Sequence, residues 1–155
     1  MIKLRIIQVG KTKDAWLNEG IAEYIKRLTA FVHLEVIELA DESLKNAANP
    51  DQVKEKEAIT ILKRIDRDAY VILLDEKGDA KTSLEFAEIL INLSEKVNVV
   101  FVIGGVFGVA QSIYERANYC FALSKLTFTH RMARLILVEQ IYRAMMINTN
   151  RNYHV

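Results

Sequence analysis

Cysteine, proline and tryptophan each occur once in the 155 residues, as Cys120, Pro50 and Trp16. A lone cysteine cannot close an intrachain bridge, which excludes a disulfide scaffold and points to a reducing compartment. Cys120 stands inside an apolar stretch, the usual place of a core-filling thiol. No apolar run is long enough to cross a bilayer, and no charged, apolar and small segment opens the chain, so a cytoplasmic protein without a membrane partner is expected. Histidine is sparse as well. His33, His130 and His154 lack ligand spacing and cysteine partners, so no metal site is expected. Neither a nucleophile elbow nor a serine–histidine–acid order is visible. What remains is ordinary: 51% hydrophobic and 26% charged residues, in a length that suits one domain over residues 1–155.

Two glycine motifs tempt and fail. Gly10-Lys11-Thr12 resembles the end of a phosphate-binding loop, but the glycine needed five residues earlier is Arg5. Gly104-Gly105-x-x-Gly108 follows an apolar run, as a dinucleotide loop would, yet its first two glycines are adjacent. The acid wanted about twenty residues on is replaced by Phe128. The glycines still permit tight turning and close approach of a ligand to backbone. On spacing alone, a structural turn and a binding loop stand level. By elimination, any chemistry rests on a bound organic cofactor and a positively charged substrate surface.

Periodicity predicts strands over Lys3–Val9, Val32–Leu39, Tyr70–Leu74, Val97–Ile103 and Tyr119–Leu123. Helices are predicted over Ala15–Leu28, from Pro50 to Ile65, from Thr82 or Ser83 to Lys96, from Val109 to Ala117, and from Arg131 to Ile147. Asn49-Pro50 supplies a cap and a first helical residue. Trp16 is expected as a core anchor, Leu84, Ala87, Leu90 and Ile91 as an inward face, and the Lys54–Glu57 run as a solvated one. Residues 41–49 read as a polar, irregular connection. Strict alternation predicts an α/β fold, a mostly parallel sheet with helices on both faces. Its ligand is expected at the carboxyl ends of strands, beside Gly104–Gly108 and Ser124–His130. The last helix is apolar nearly all round and therefore buried on two sides, and in so small a chain a symmetric dimer is the economical second cover.

The net charge of +1 divides unevenly, +4 over residues 125–155 against −3 for the rest. Lys125, Arg131, Arg134, Arg143 and Arg151 face only Glu139 in that stretch. Either an anionic partner such as nucleic acid is drawn there, or the arginines cluster by chance.

The C-terminal third carries a specific resemblance. Ile103-Gly104-Gly105-x-x-Gly108, Leu123-Ser124-Lys125-Leu126-Thr127-Phe128-x-His130, Val138-Glu139-Gln140-Ile141-Tyr142-Arg143-Ala144 and Tyr153-His154 together resemble the ribosomal RNA large subunit methyltransferase H family. Val9-Gly10-Lys11 and Leu74-Asp75-x-x-Gly78 extend the match over essentially the whole chain. The resemblance implies a SPOUT-type methyltransferase with a C-terminal trefoil knot, working as a homodimer with S-adenosylmethionine. It implies methylation of N3 of a pseudouridine in helix 69 of 23S rRNA on the assembled ribosome. Carried over, Leu74 closes the third strand against the cofactor, Gly104, Gly105 and Gly108 form a glycine loop, and Leu123, Ser124, Lys125, Leu126, Thr127 and Phe128 fold around the adenosine part. Thr129 and Asn152 stand where the family has prolines, and Val106-Phe107 is bulky for such a loop.

Under that reading N3 must lose its proton before it can attack. His130 and His154 are the candidate bases, with Arg131, Arg134 or Arg151 as cationic helpers. His154 with Arg151 ranks first, because a C-terminal tail can cross a dimer to its partner's cofactor. His130 reads equally well as a loop residue bonded to backbone. Lys125, Arg131, Arg134 and Arg151 are the expected RNA contacts. Two other readings are an RNA-binding module without turnover and a nucleotide-binding protein using Gly10–Thr12.

Overall fold

The structure, a computed structural model, describes residues 1–45 and 48–155. Five strands, β1 (Ile2–Val9), β2 (Val32–Leu39), β3 (Tyr70–Ala80), β4 (Val99–Ile103) and β5 (Tyr119–Ala122), alternate with five helices. These are α1 (Ala15–Leu28), α2 (Pro50–Leu62), α3 (Ser83–Ser94), α4 (Gln111–Arg116) and α5 (His130–Asn148). The strands form one sheet in the order β2-β1-β4-β3-β5, and every pair is parallel. The α/β reading holds. Of the irregular connection 41–49, Glu42–Leu44 is a single 3₁₀ turn, and residues 46 and 47 lie outside the described residues.

Period-two alternation sorts the central strands between two cores. Leu4 and Ile6, Ile72, and Val99, Phe101 and Ile103 pack with α1, α3 and α5. Ile7 and Val9, Val71 and Leu73, and Val100 and Val102 pack with α2 and α4 on the other face. β4 is buried at all five positions, which is why its sequence shows no polar alternation.

Local chemistry sets the helix starts. Asn49 Oδ1 accepts the amides of Asp51 and Gln52 (3.0 and 3.2 Å), with Pro50 at the first turn. Thr82 and Glu85 form a reciprocal capping box on α3. Thr129 Oγ1 accepts the Met132 amide (3.2 Å) at α5, a cap that proline could not supply.

Several expectations change. Trp16 is 61% exposed, because it sits about 100° around α1 from the Leu17–Leu28 stripe that faces the core. Leu84 is 57% exposed, and Phe86, Ala87 and Leu90 form the inward face of α3. Glu57, read as solvated, is only 3% exposed. β3 continues past Leu74 to Ala80 through polar residues. Leu74 and Asp79 both align with Phe121 of β5, so residues 75–78 make an excursion and return. Gly78 allows the return, since a β-carbon there would stand 2.7 Å from the Cys120 carbonyl group.

α5 lies between α1 and α3 in its own chain. Leu135 packs on Gly20, Tyr142 on Tyr24 (5.9 Å between rings), and Gln140 accepts the Ser83 hydroxyl (2.8 Å). Neighbours within the protomer thus account for most of its apolar surface, and a half-exposed outer strip runs through Met132 and Ile136.

Candidate active site

The carboxyl ends of β4, β3 and β5 are adjacent in the sheet, and the loops that leave them enclose a cleft of about 700 Å³. Leu74, Ile103 and Leu123 form apolar walls. The excursion 75–77, the glycine loop 104–109, Tyr114 of α4 and residues 124, 126–131 and 133 complete the lining. Such a concave site, mostly apolar with a few fixed polar groups, is the usual form of a cofactor pocket.

The glycine loop is a tight return. Gly105 and Gly108 pair across it, the Gly108 amide donates to the Gly105 carbonyl (3.1 Å), and Gly108 has φ +83°. A β-carbon on Gly104 would meet Val109 Cγ1 at 2.6 Å, and one on Gly105 would meet Glu57 Oε1 at 2.9 Å. Backbone is therefore presented bare to the cleft at both positions. Val106 and Phe107, bulky for their place, stand exposed at the rim.

The polar rim is tied inward. The Tyr114 hydroxyl donates to Asp75, the Thr127 hydroxyl donates to Glu76, and Ser124 Oγ accepts the Leu126 amide (3.0 Å). Burial and the Asp75 carboxylate push the Tyr114 phenol up to about 12, so it stays protonated as a donor. Burial, then Arg134 and Arg131, hold His130 below its ordinary range, leaving a neutral imidazole at the cleft.

Of the residues read from sequence, Leu74, Gly104, Gly105, Gly108, Leu123, Ser124, Leu126, Thr127, Phe128, His130 and Arg131 line this one cleft. Lys125 is exposed and is not among the lining residues. Arg134 does not face solvent. It is 2% exposed, its Nη2 donates to the Val9 carbonyl (2.5 Å) and its Nη1 to Thr12 Oγ1 (2.8 Å). It is thereby withdrawn from the RNA-contacting set, and it ties the Gly10–Thr12 turn to α5 through the Val9 carbonyl and the Thr12 hydroxyl. One charge of the +4 cluster is likewise offset from outside it, because Arg131 pairs with Asp14 (3.1 Å), while Arg143 pairs with Glu139 of the same stretch (2.6 Å).

Arg151 and His154 lie elsewhere. They follow the last turn of α5, and a 19-residue helix spans about 28 Å from the His130 end. Arg151 stacks over Phe31 (5.1 Å), and Arg143 Nη1 donates to His154 Nδ1 (3.2 Å). The Tyr153 hydroxyl donates to Glu139 (3.0 Å) and its ring meets Tyr142 edge-on (4.9 Å). Sequence reasoning missed the excursion residues Asp75, Glu76 and Lys77, and Tyr114. A strand-end acid beside a glycine was the available signal for the first.

The family described as predicted SPOUT methyltransferase matches residues 2–154. The chain belongs to that family. A protein of Ruminiclostridium cellulolyticum named ribosomal RNA large subunit methyltransferase H is 44% identical over 158 residues, 99% of each chain. Proteins of the same name from Desulfitobacterium hafniense and Bacillus anthracis are 43% and 44% identical, again over 99% of each chain. A solved structure, a probable methylase family protein from Haemophilus influenzae, superposes with a TM-score of 0.55 at 14% identity, covering 98% of this chain and 70% of that one. At that identity the likeness shows the fold alone.

Proposed function

We propose that this SPOUT methyltransferase transfers a methyl group from S-adenosylmethionine to large-subunit ribosomal RNA. The target in this reading is N3 of a pseudouridine in helix 69 of the 23S molecule, on the assembled ribosome. One observation carries it: a chain related end to end to proteins of that name builds its cleft from loops where two glycines leave backbone bare.

The residues suit the cofactor. Leu74, Ile103 and Leu123 offer apolar walls to an adenosine ring, and bare backbone at Gly104 and Gly105 can meet its polar edge. When bound, S-adenosylmethionine supplies an electrophilic methyl group. Among the protein's own groups, neutral His130 is the acceptor placed to take the N3 proton, and Arg131 beside it favours the resulting anion. The rest of the acceleration comes from holding donor and acceptor aligned.

Arg151 and His154 serve catalysis in this reading only across a homodimer, as the tail of one protomer beside the cleft of the other. The half-exposed strip of α5, with exposed Trp16 on α1 and Leu84 on α3, supports such a partner surface. The trefoil knot belongs to the same proposal, supported by the convergence of the last three strand-end loops on one cleft.

Calorimetry with S-adenosylmethionine, followed by labelled methyl transfer to ribosomes, tests the proposal. Binding with transfer that requires the target pseudouridine is expected. A folded protein that does not bind S-adenosylmethionine would overturn the reading.

A further inference from the structure

The buried set of α2 is Val53, Glu57, Ala58 and Ile61, three apolar side chains and one acid. Glu57 is 3% exposed, and among the described residues no cation pairs with it. Burying an unpaired carboxyl is unfavourable, and an apolar residue of similar volume would fill the space without that cost. The position of the two oxygens shows what the carboxyl does instead. Oε2 accepts the Glu42 amide (3.1 Å), in the loop that follows β2. Oε1 lies against the Cα of Gly105, 2.9 Å from where a β-carbon would stand, and Val9 Cγ1 at the end of β1 closes the same space at 3.3 Å. β2, β1 and β4 are neighbours in that order, and one side chain bridges the loop after β2 and the glycine loop after β4. Gly105 is the only one of these contacts that also lines the cleft.

We propose that Glu57 is a positioning residue, which seats the glycine loop by filling the face of Gly105 turned away from the cleft while its second oxygen anchors to the loop after β2. The proposal rests on the reading of this cleft as the S-adenosylmethionine site. It makes the absence of a side chain at Gly105 a requirement set by the protein, from behind the cleft.

Charge should then matter. Asp41 and Glu42 face Glu57 from the loop after β2, Lys45 is tied to Glu42, and His130 and Arg134 approach Asp41 from α5. Val9 and Gly105 offer no charge. Burial first, and then Asp41 and Glu42 against the opposing Glu42 amide, raise the Glu57 carboxyl to about 7. The neutral carboxyl packs against Gly105 without repulsion from the two acids, and the ionised one does not.

The test measures S-adenosylmethionine affinity by calorimetry in full-length protein, with circular dichroism as the check on folding. Wild-type affinity is expected to weaken several-fold as pH rises through about 7, and Glu57→Gln, neutral and of the same shape, is expected to hold wild-type low-pH affinity across the range. Gly105→Ala and Glu57→Ala should each weaken binding. The double variant should bind at least about threefold better than the product of the single effects, because the missing carboxyl makes room for the new methyl group. Multiplicative single effects, or the same pH slope in Glu57→Gln as in wild type, would overturn the inference while leaving the cofactor site intact. Wild-type protein without affinity would overturn both.

Discussion

At the scale of single residues, three side groups decide how the cleft is framed. Gly104→Val adds a branched side chain where a β-carbon already meets Val109 at 2.6 Å. We expect S-adenosylmethionine affinity to fall at least about tenfold with the circular dichroism spectrum retained, a loss of roughly 1.4 kcal/mol or more. Arg134 holds the Val9–Thr12 turn to α5 through two donors. Arg134→Ala leaves a buried carbonyl and a buried hydroxyl short of a partner, and urea unfolding should show a loss of about 2–4 kcal/mol. Glu57 gives stability a pH dependence of definite sign. Its carboxyl titrates near its ordinary value of 4.5 when unfolded and at about 7 when folded. The folded state therefore holds the proton longer, and this contribution to stability is complete below about 4.5, declines as pH rises, and is gone above about 7. Melting temperatures of Glu57→Gln should show a shallower fall than wild type over that window.

At the scale of elements, α5 carries two separable roles. Ile141 is fully buried within its own chain, so Ile141→Asp should unfold the protomer and says nothing about a partner. Ile136 lies on the half-exposed strip, and Ile136→Asp should yield a folded monomer by sedimentation if that strip meets a second copy. The tail divides similarly. Tyr153 is held by Tyr24, Glu139 and Tyr142, so removing residues 151–155 should lower the melting temperature, whereas removing only His154 and Val155 should spare it and still impair methylation of ribosomes. Element order was plain in the sequence because strand-length and helix-length segments alternate, two of the helices opening on clear caps at Asn49 and Thr82. Less of the framing was legible. Glu57 hid in a run of alternating charges, Arg134 passed for a surface cation, and the polar half of β3 has no periodic signal. In each case the decisive partner, Gly105, Val9 or Phe121, lies far away in sequence and is met only in the fold. The loops that the resemblance named line one cleft, because it concerned the stretches that form it.

At the scale of the whole molecule, charge is balanced and locally arranged. Of the five cations in residues 125–155, Arg134 is buried and Arg131 and Arg143 have carboxylate partners, so that stretch leaves only Lys125 and Arg151 for phosphate. Ribosome binding should consequently weaken with salt along a shallow slope, about one unit of log affinity per phosphate contact. A steep slope would point to a larger electrostatic footprint than one protomer offers. The excursion of β3 has a different kind of consequence. Residues 75–78 leave the sheet between two stretches that remain paired with β5, so the chain there is pinned at both ends but lacks ladder partners in between. Amide hydrogens in that short segment should exchange with deuterium orders of magnitude faster than those of Val71–Leu74 on one side. An occupied cleft should slow that exchange in these few residues alone, which makes peptide mass spectrometry across β3 a direct gauge of occupancy in protein that performs no turnover.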